Sequence, residues 1–363
     1  MKDSENFSGG NNVKPLKIGD LSPALPIVQG GMGIGVSLSS LAGAVAKEGG
    51  IGVLSAAQIG YKEKDFMKDP EKANLRAVGK HIRRAREIAG GGILGINIMA
   101  VTRNYAAYVK EAIANGIDLI ITGAGLPVDL PAIAKGAATK LVPIVSPEKS
   151  ARVILKLWDR KYKTAPDAII IEGPKAGGHL GFKYNELMDQ KINEKHDADI
   201  EKILEMVKPY EEKYEKKIPV IVAGGISDKA EMEHYLEMGA SGIQIATPFV
   251  VTEECDASQA YKDAYLNCKK EDIVIVQSPV GLPGRAIRNA FIEKVKEKGR
   301  IVPEHCYRCM EHCKPAETLY CISQGLINAV EGKIDDALLF CGADAWKCRE
   351  MTTVKKVIER YIG

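Results

Sequence analysis

A (β/α)8 TIM barrel with a C-terminal cysteine-rich helical extension is the architecture this sequence predicts, within the α/β class. Three observations carry it. Eight short, apolar, β-branched runs alternate with segments of helical spacing between about residues 26 and 270, as repeated βα units around a parallel sheet require. The runs are apolar at every position rather than at alternate ones, which marks strands buried on both faces. Glycines gather directly after several runs, at the C-terminal strand ends where barrels of this kind keep their chemistry.

The eight runs cover residues 26–29, 52–55, 94–99, 119–123, 141–146, 168–172, 219–223 and 242–246. Between them, Tyr105, Val109, Ala112 and Ile113 share one helical face, as do Ile200, Ile203, Leu204 and Val207. Eight such units favour a closed barrel over an open doubly wound sheet. Residues 183–217 are long and charge-rich for one connection and predict a lid or surface insertion. The organisation expected is a flexible N-terminus (1–14), a barrel (15–271), and an extension packing on it (272–363) that is cysteine-rich from residue 306 and ends in an amphipathic stretch at Val354, Val357, Ile358 and Tyr361.

Charge and composition exclude several classes. A net charge of +3 is too small to argue for nucleic acid, and no apolar run approaches the ~20 residues that cross a bilayer. The N-terminus has no apolar signal core. None of the eight cysteines precedes Cys255, and six lie between Cys306 and Cys348, so the barrel is not stapled like a small secreted fold. A cytoplasmic location is expected.

The most informative stretch is Glu172-Gly-Pro-Lys-Ala-Gly-Gly-His179-Leu-Gly181 after the sixth run. Gly177, Gly178 and Gly181 let the backbone approach a flat ligand, and leave one imidazole, His179, to do acid/base work. Gln29-Gly-Gly-Met-Gly-Ile-Gly35 after the first run fails the dinucleotide fingerprint, because Val36 stands where the third glycine is required. It is either a tight strand-to-helix turn or a backbone platform under a planar ring. Val222-Ala-Gly-Gly-Ile-Ser227 and Gln244-Ile-Ala-Thr-Pro248 follow the seventh and eighth runs, where barrel loops often build a phosphate site from free amides; a plain turn is the alternative. Asn97 lies inside the apolar third run and needs a partner, structural or ligand. His81, His196 and His234 sit in charged helical stretches and read as surface residues.

Cys306-x2-Cys309-x3-Cys313-x7-Cys321, with His305 and His312 interleaved, matches the close spacing of zinc or iron–sulfur ligands. Reduced thiols packing a small helical extension, or disulfides, are the alternatives.

Together, Gln29-Gly-Gly-Met32, Gly95-Ile-Asn-Ile-Met99, Thr122-Gly-Ala-Gly125, the Glu172–Gly181 loop, Ala223-Gly-Gly225 and Gly239-Ala-Ser-Gly-Ile-Gln-Ile-Ala-Thr247 resemble the nitronate monooxygenase (2-nitropropane dioxygenase-like) flavoproteins, a family that includes the FMN-dependent enoyl-acyl carrier protein reductases. The resemblance covers about residues 15–295. It implies a barrel holding FMN at its strand ends, with Gly30, Gly31 and Met32 flanking the isoalloxazine, and Asn97 and Glu172 making polar contacts near it. Gly178 would pass beside the flavin, Gly224, Gly225, Gln244 and Thr247 would hold the phosphate region, and His179 would face the substrate. The expected activity is FMN-dependent oxidation of nitronates or similar small anions with His179 as acid/base. An NAD(P)H-dependent enoyl-thioester reductase meeting an acyl carrier is the alternative, and a non-catalytic flavin- or metal-binding partner protein is a third reading. A homodimer is compatible with any of them. The chain departs from the family in two places: Ala246-Thr247-Pro248 stands where Gly-Thr-Arg is frequent, and the cysteine-rich tail is extra.

Overall fold

The computed structural model describes residues 15–189 and 191–363; the predicted flexible N-terminus, 1–14, lies outside the described residues. Eight parallel strands form the barrel: β1 (Ile27–Gln29), β2 (Gly52–Ser55), β3 (Leu94–Asn97), β4 (Leu119–Thr122), β5 (Lys140–Val145), β6 (Ile169–Glu172), β8 (Val220–Ala223) and β9 (Gly242–Ile245). A two-residue strand, β7 (Gly178–His179), lies in the histidine loop. The order β1-β9-β8-β6-β5-β4-β3-β2 closes on itself where Ile51 N–H donates to Ile27 and Gln29 N–H to Ile51, each at 2.9 Å.

Adjacent residues of one run serve two cores. Ile170 and Ile221 point into the barrel with Val28, Val53, Leu119 and Val142. Their neighbours Ile169, Ile171, Val220 and Val222 pack outward against the helices. Burial on both faces is why the runs do not alternate. Leu16 and Ile18 join the inner cluster.

The helical layer includes α1 (Ser39–Lys47), α2 (Pro70–Ala89), α3 (Tyr105–Ala114), α4 (Leu130–Ile133), α5 (Glu148–Tyr162), α6 (Tyr184–Leu187), α7 (Ile192–Tyr214), α8 (Lys229–Glu237), α9 (Thr247–Val250) and α10 (Gln259–Asn267). The expected insertion at 183–217 is mostly α7, whose Ile200, Ile203 and Val207 pack on the barrel. Its charges belong to the outward face of an amphipathic helix, and only the short α6 segment lies outside that plan. No described helix is long and apolar enough to cross a membrane.

Beyond α10 the chain returns to the barrel mouth. β10 (Ile273–Gln277) and β11 (Pro283–Ile287) form an antiparallel hairpin, followed by α11 (Ala290–Lys298), α12 (Ile322–Glu331) and α13 (Val354–Ile362). Phe291, Ile292, Tyr320, Ile322 and Leu338 build a small core of their own. Helix α13 buries Val354, Val357, Ile358 and Tyr361 in the outer barrel core, the face the sequence marks as amphipathic. Residues 306–313 roof the mouth: Arg103 N–H donates to the Cys309 carbonyl at 3.2 Å, Glu311 N–H to Val101 at 3.3 Å, and Gln58 Nε2 to Tyr307 at 3.4 Å.

Candidate active site

A cavity of about 500 Å³ opens at the C-terminal ends of the barrel strands, inside the range of about 300–1,000 Å³ usual for ligand pockets. Gly30, Gly31, Met32, Asn97, Glu172, Gly178, His179, Gly224, Gly225, Gln244 and Thr247 all line it.

Its floor is backbone. Gln29, fully buried, accepts from Val53 N–H at 2.9 Å and donates to Ser37 Oγ at 2.8 Å. Ser37 Oγ in turn accepts from Met32 N–H at 3.0 Å. The Gly30–Met32 turn is thus tied to the barrel from beneath. A Cβ on Gly31 would meet that of Asn97 at 2.6 Å. Opposite, Gly224 and Gly225 hold φ of +95° and +86°, conformations that side chains resist. A Cβ on Gly224 would come within 2.9 Å of the Gly173 carbonyl.

The side chains of Asn97 and Glu172 line this cavity and make no side-chain hydrogen bond to the described residues. Burial alone pushes the Glu172 carboxyl up to about 8, so it is largely protonated at neutral pH. Asn97 and Glu172 are both half-buried, and a ring with polar edges would pair them as it displaced solvent.

The histidine wall is assembled from distant segments. Strand β11 pairs antiparallel with β7, Gly284 opposite His179 and Arg285 opposite Gly178, and Leu180 N–H donates to Pro283 at 2.9 Å. Arg285 donates to the carbonyls of Pro174, at 2.9 Å, and Ala176. On this wall His179 Nε2 lies 2.7 Å from Ser278 Oγ, and its ring meets Phe340 edge-on at 4.9 Å. Burial lowers the imidazole to about 4. His179 is therefore neutral at pH 7, the form that accepts a proton.

Of the other histidines, His196 is not a surface residue: only 4% of it is exposed, and both ring nitrogens lack partners. Its charged neighbours face outward from α7 while it turns inward beneath Gly173, whose Cβ would sit 2.6 Å from Nε2.

The expected metal centre finds no support. Among the described residues no three His, Cys, Asp or Glu side chains are placed to hold a metal ion. Cys306, Cys309, Cys313 and Cys321 line a separate cavity of about 60 Å³. They do so as free thiols. Burial pushes Cys309 up to about 11 and raises Cys313 and Cys321, so these thiols are protonated. Cys321 Sγ instead caps α12 through Gln324 N–H at 3.5 Å, and His305 and His312 are exposed. Cys309 also lines the main cavity, so the segment serves as wall and roof.

The family model for nitronate monooxygenases matches residues 15–362. This chain belongs to the nitronate monooxygenase family. It is similar to a probable nitronate monooxygenase of Staphylococcus saprophyticus, 27% identical, with 84% of each chain covered. Among solved structures it resembles FabK from Thermotoga maritima, with a TM-score of 0.70 and 26% identity over 94% of this chain and 92% of that one. Nitroalkane oxidase from Streptomyces ansochromogenes shares the fold, with a TM-score of 0.67 and 22% identity over 94% and 95%. Members of the nitronate monooxygenase family are FMN-dependent oxidoreductases, and the enzyme class expected from the sequence stands. The glycine floor and the two unpaired polar groups suit FMN, the cofactor typical of the family.

Proposed function

We propose that this protein oxidises nitronates or similarly small anionic substrates at FMN held in the 500 Å³ cavity, with His179 as the acid/base. The observation that carries the reading is a half-buried, neutral imidazole on the cavity wall, fixed by Ser278 at 2.7 Å. FMN supplies a ring that accepts a hydride or a single electron; the chain supplies position and proton management. Gly30, Gly31 and Met32 lie under the ring, Asn97 and protonated Glu172 meet its polar edge, and Gly178 passes beside it. Gly224, Gly225, Gln244 and Thr247 take the phosphate region. A nitronate has already lost its α-proton, so His179 would take a proton only from the conjugate nitroalkane and would otherwise donate a ring N–H to the nitronate oxygens, with Ser278 holding the imidazole. The same reading divides the chain into a flavin-binding barrel (15–271) and an extension that walls its mouth (272–363).

One observation favours a second reaction. Leu126, Val280, Leu282, Met310, Ile322 and Leu326 give the cavity an apolar side, which suits an alkyl or acyl chain and hence NAD(P)H-dependent reduction of an enoyl thioester. Anaerobic mixing of the flavin-loaded protein with an alkyl nitronate, NADH or NADPH separates the two. Rapid bleaching of the flavin by the nitronate is expected. Bleaching by a nicotinamide alone transfers the assignment to the reductase, and no bleaching by any of the three defeats both.

A further inference from the structure

We propose that residues 342–347 of the extension form the outer wall of the flavin's ribityl-phosphate site, with Lys347 as the cation that pairs with the phosphate and Asp344 as acceptor for a ribityl hydroxyl. This rests on the FMN reading and assigns groups that the strand-end loops do not provide. Those loops offer backbone amides and the Thr247 hydroxyl, yet Pro248 occupies the place where the family resemblance expects an arginine. A phosphate carries nearly two negative charges, so a cation must come from elsewhere.

Three cationic side chains line the cavity: Lys175, Lys347 and Arg360. Lys175 Nζ lies 3.9 Å from Glu231, and Arg360 is drawn 3.7 Å from Glu350. Lys347 alone is hydrogen-bonded into the phosphate loop, donating to Ser227 Oγ at 2.8 Å. Ser227 closes the Gly224–Gly225 turn, and its own N–H and hydroxyl are taken by Glu231 at 2.6 and 2.9 Å. Lys347 thus reaches Ser227, two residues beyond Gly225, while the Lys175 stem lies against Gly225 itself. The other neighbour of Lys347 is Asp344 Oδ1 at 3.3 Å.

Asp344 supplies the independent observation. Its Oδ2 is buried with no hydrogen-bond partner, on a residue that lines the same cavity. A carboxylate oxygen in that position accepts from a hydroxyl but repels a phosphate, so it belongs opposite the polyol and Lys347 belongs at the phosphate. The wall is firmly seated: Ala343 N–H donates to Lys175 at 3.0 Å, Cys341 N–H to Arg285 at 3.0 Å, and a Cβ on Gly342 would approach Thr247 Oγ1 to 2.5 Å.

The test titrates flavin-stripped protein with FMN and with riboflavin, which lacks the phosphate, following flavin fluorescence. Lys347→Gln is expected to weaken FMN by about 10-fold or more, the loss of one charge-assisted contact, with riboflavin affinity unchanged. Lys347→Arg retains most of the FMN affinity. Asp344→Asn weakens both flavins alike, and Lys333→Gln, on an exposed lysine remote from the cavity, alters neither. Equal loss of both flavins in Lys347→Gln, or no loss of FMN, overturns the phosphate assignment. Unchanged riboflavin affinity in Asp344→Asn overturns the ribityl assignment. Wild-type protein that binds neither flavin overturns the FMN reading itself and this inference with it, a result distinct from the other two.

Discussion

The two sides of the cavity are built on opposite principles. The floor and the inner phosphate side are made of backbone: Gly30, Gly31, Gly224 and Gly225 present peptide groups, each within a few residues of its own strand, and only the outer wall at 342–347 comes from far along the chain. The histidine wall is made of side chains and is held from far along the chain, since Ser278 and Arg285 fix the loop that carries His179. On the proposed reading, a backbone floor would recognise what every turnover shares, a flat ring and a phosphate. A wall assembled from remote segments can be altered without touching that floor, so cofactor retention and substrate handling are separable properties.

Breaking the floor gives the largest effect. Gly224→Ala places a methyl 2.9 Å from the Gly173 carbonyl at φ +95°, with about 1–3 kcal/mol of backbone strain. Purified protein is expected to keep its far-UV spectrum and lose most bound flavin, measured as the ratio of 450 to 280 nm absorbance. Breaking the wall is expected to do the converse. His179→Ala retains flavin at the wild-type ratio while turnover falls by about 10²–10⁴-fold, the usual worth of a positioned acid/base. If both variants lose flavin equally, the two sides are one unit and the distinction collapses.

The smallest effect sharpens the comparison through pH. Glu172, on the floor side, is raised to about 8, above its unfolded value, so the folded state holds a proton that the unfolded chain releases. In the flavin-free protein this contribution is full below about pH 4.5 and is lost as pH rises through 8. His179 is lowered to about 4, so its contribution is present above about pH 6.5 and lost as pH falls through 4. Urea midpoints should therefore decline towards both ends of the range. Glu172→Gln is expected to flatten only the alkaline limb, and His179→Ala only the acid one.

How much of this was legible differed sharply by region. All eight runs became barrel strands with ends shifted by no more than two residues, because burial on both faces writes itself as continuous apolar character. The eleven cavity residues of the barrel were reached through the family resemblance, which rests on strand-end motifs that are local in sequence. What escaped was long-range. Nothing in Ser278-Pro-Val-Gly-Leu-Pro-Gly-Arg285 names Gly178 and His179 as its pairing partners. His196 stands four residues before Ile200, on the face that Ile200, Ile203 and Val207 share, so helical phase places it inward and its charged neighbours were the misleading signal. The cysteine spacing resembled a metal motif, whereas the thiols take separate roles in capping and roofing. Lys347 and Asp344 carried no signal, since their meaning depends on Gly342 meeting Thr247.

The pairing of β11 with β7 has a consequence for how the enzyme comes into being. A ribosome delivers the barrel first, and by residue 271 every barrel strand has been made. The loop bearing His179 still lacks its partner strand, and the wall at residues 342–347 is later still. The nascent barrel therefore emerges without a finished catalytic wall, and reactivity is withheld until the last quarter of the chain has been synthesised and folded back.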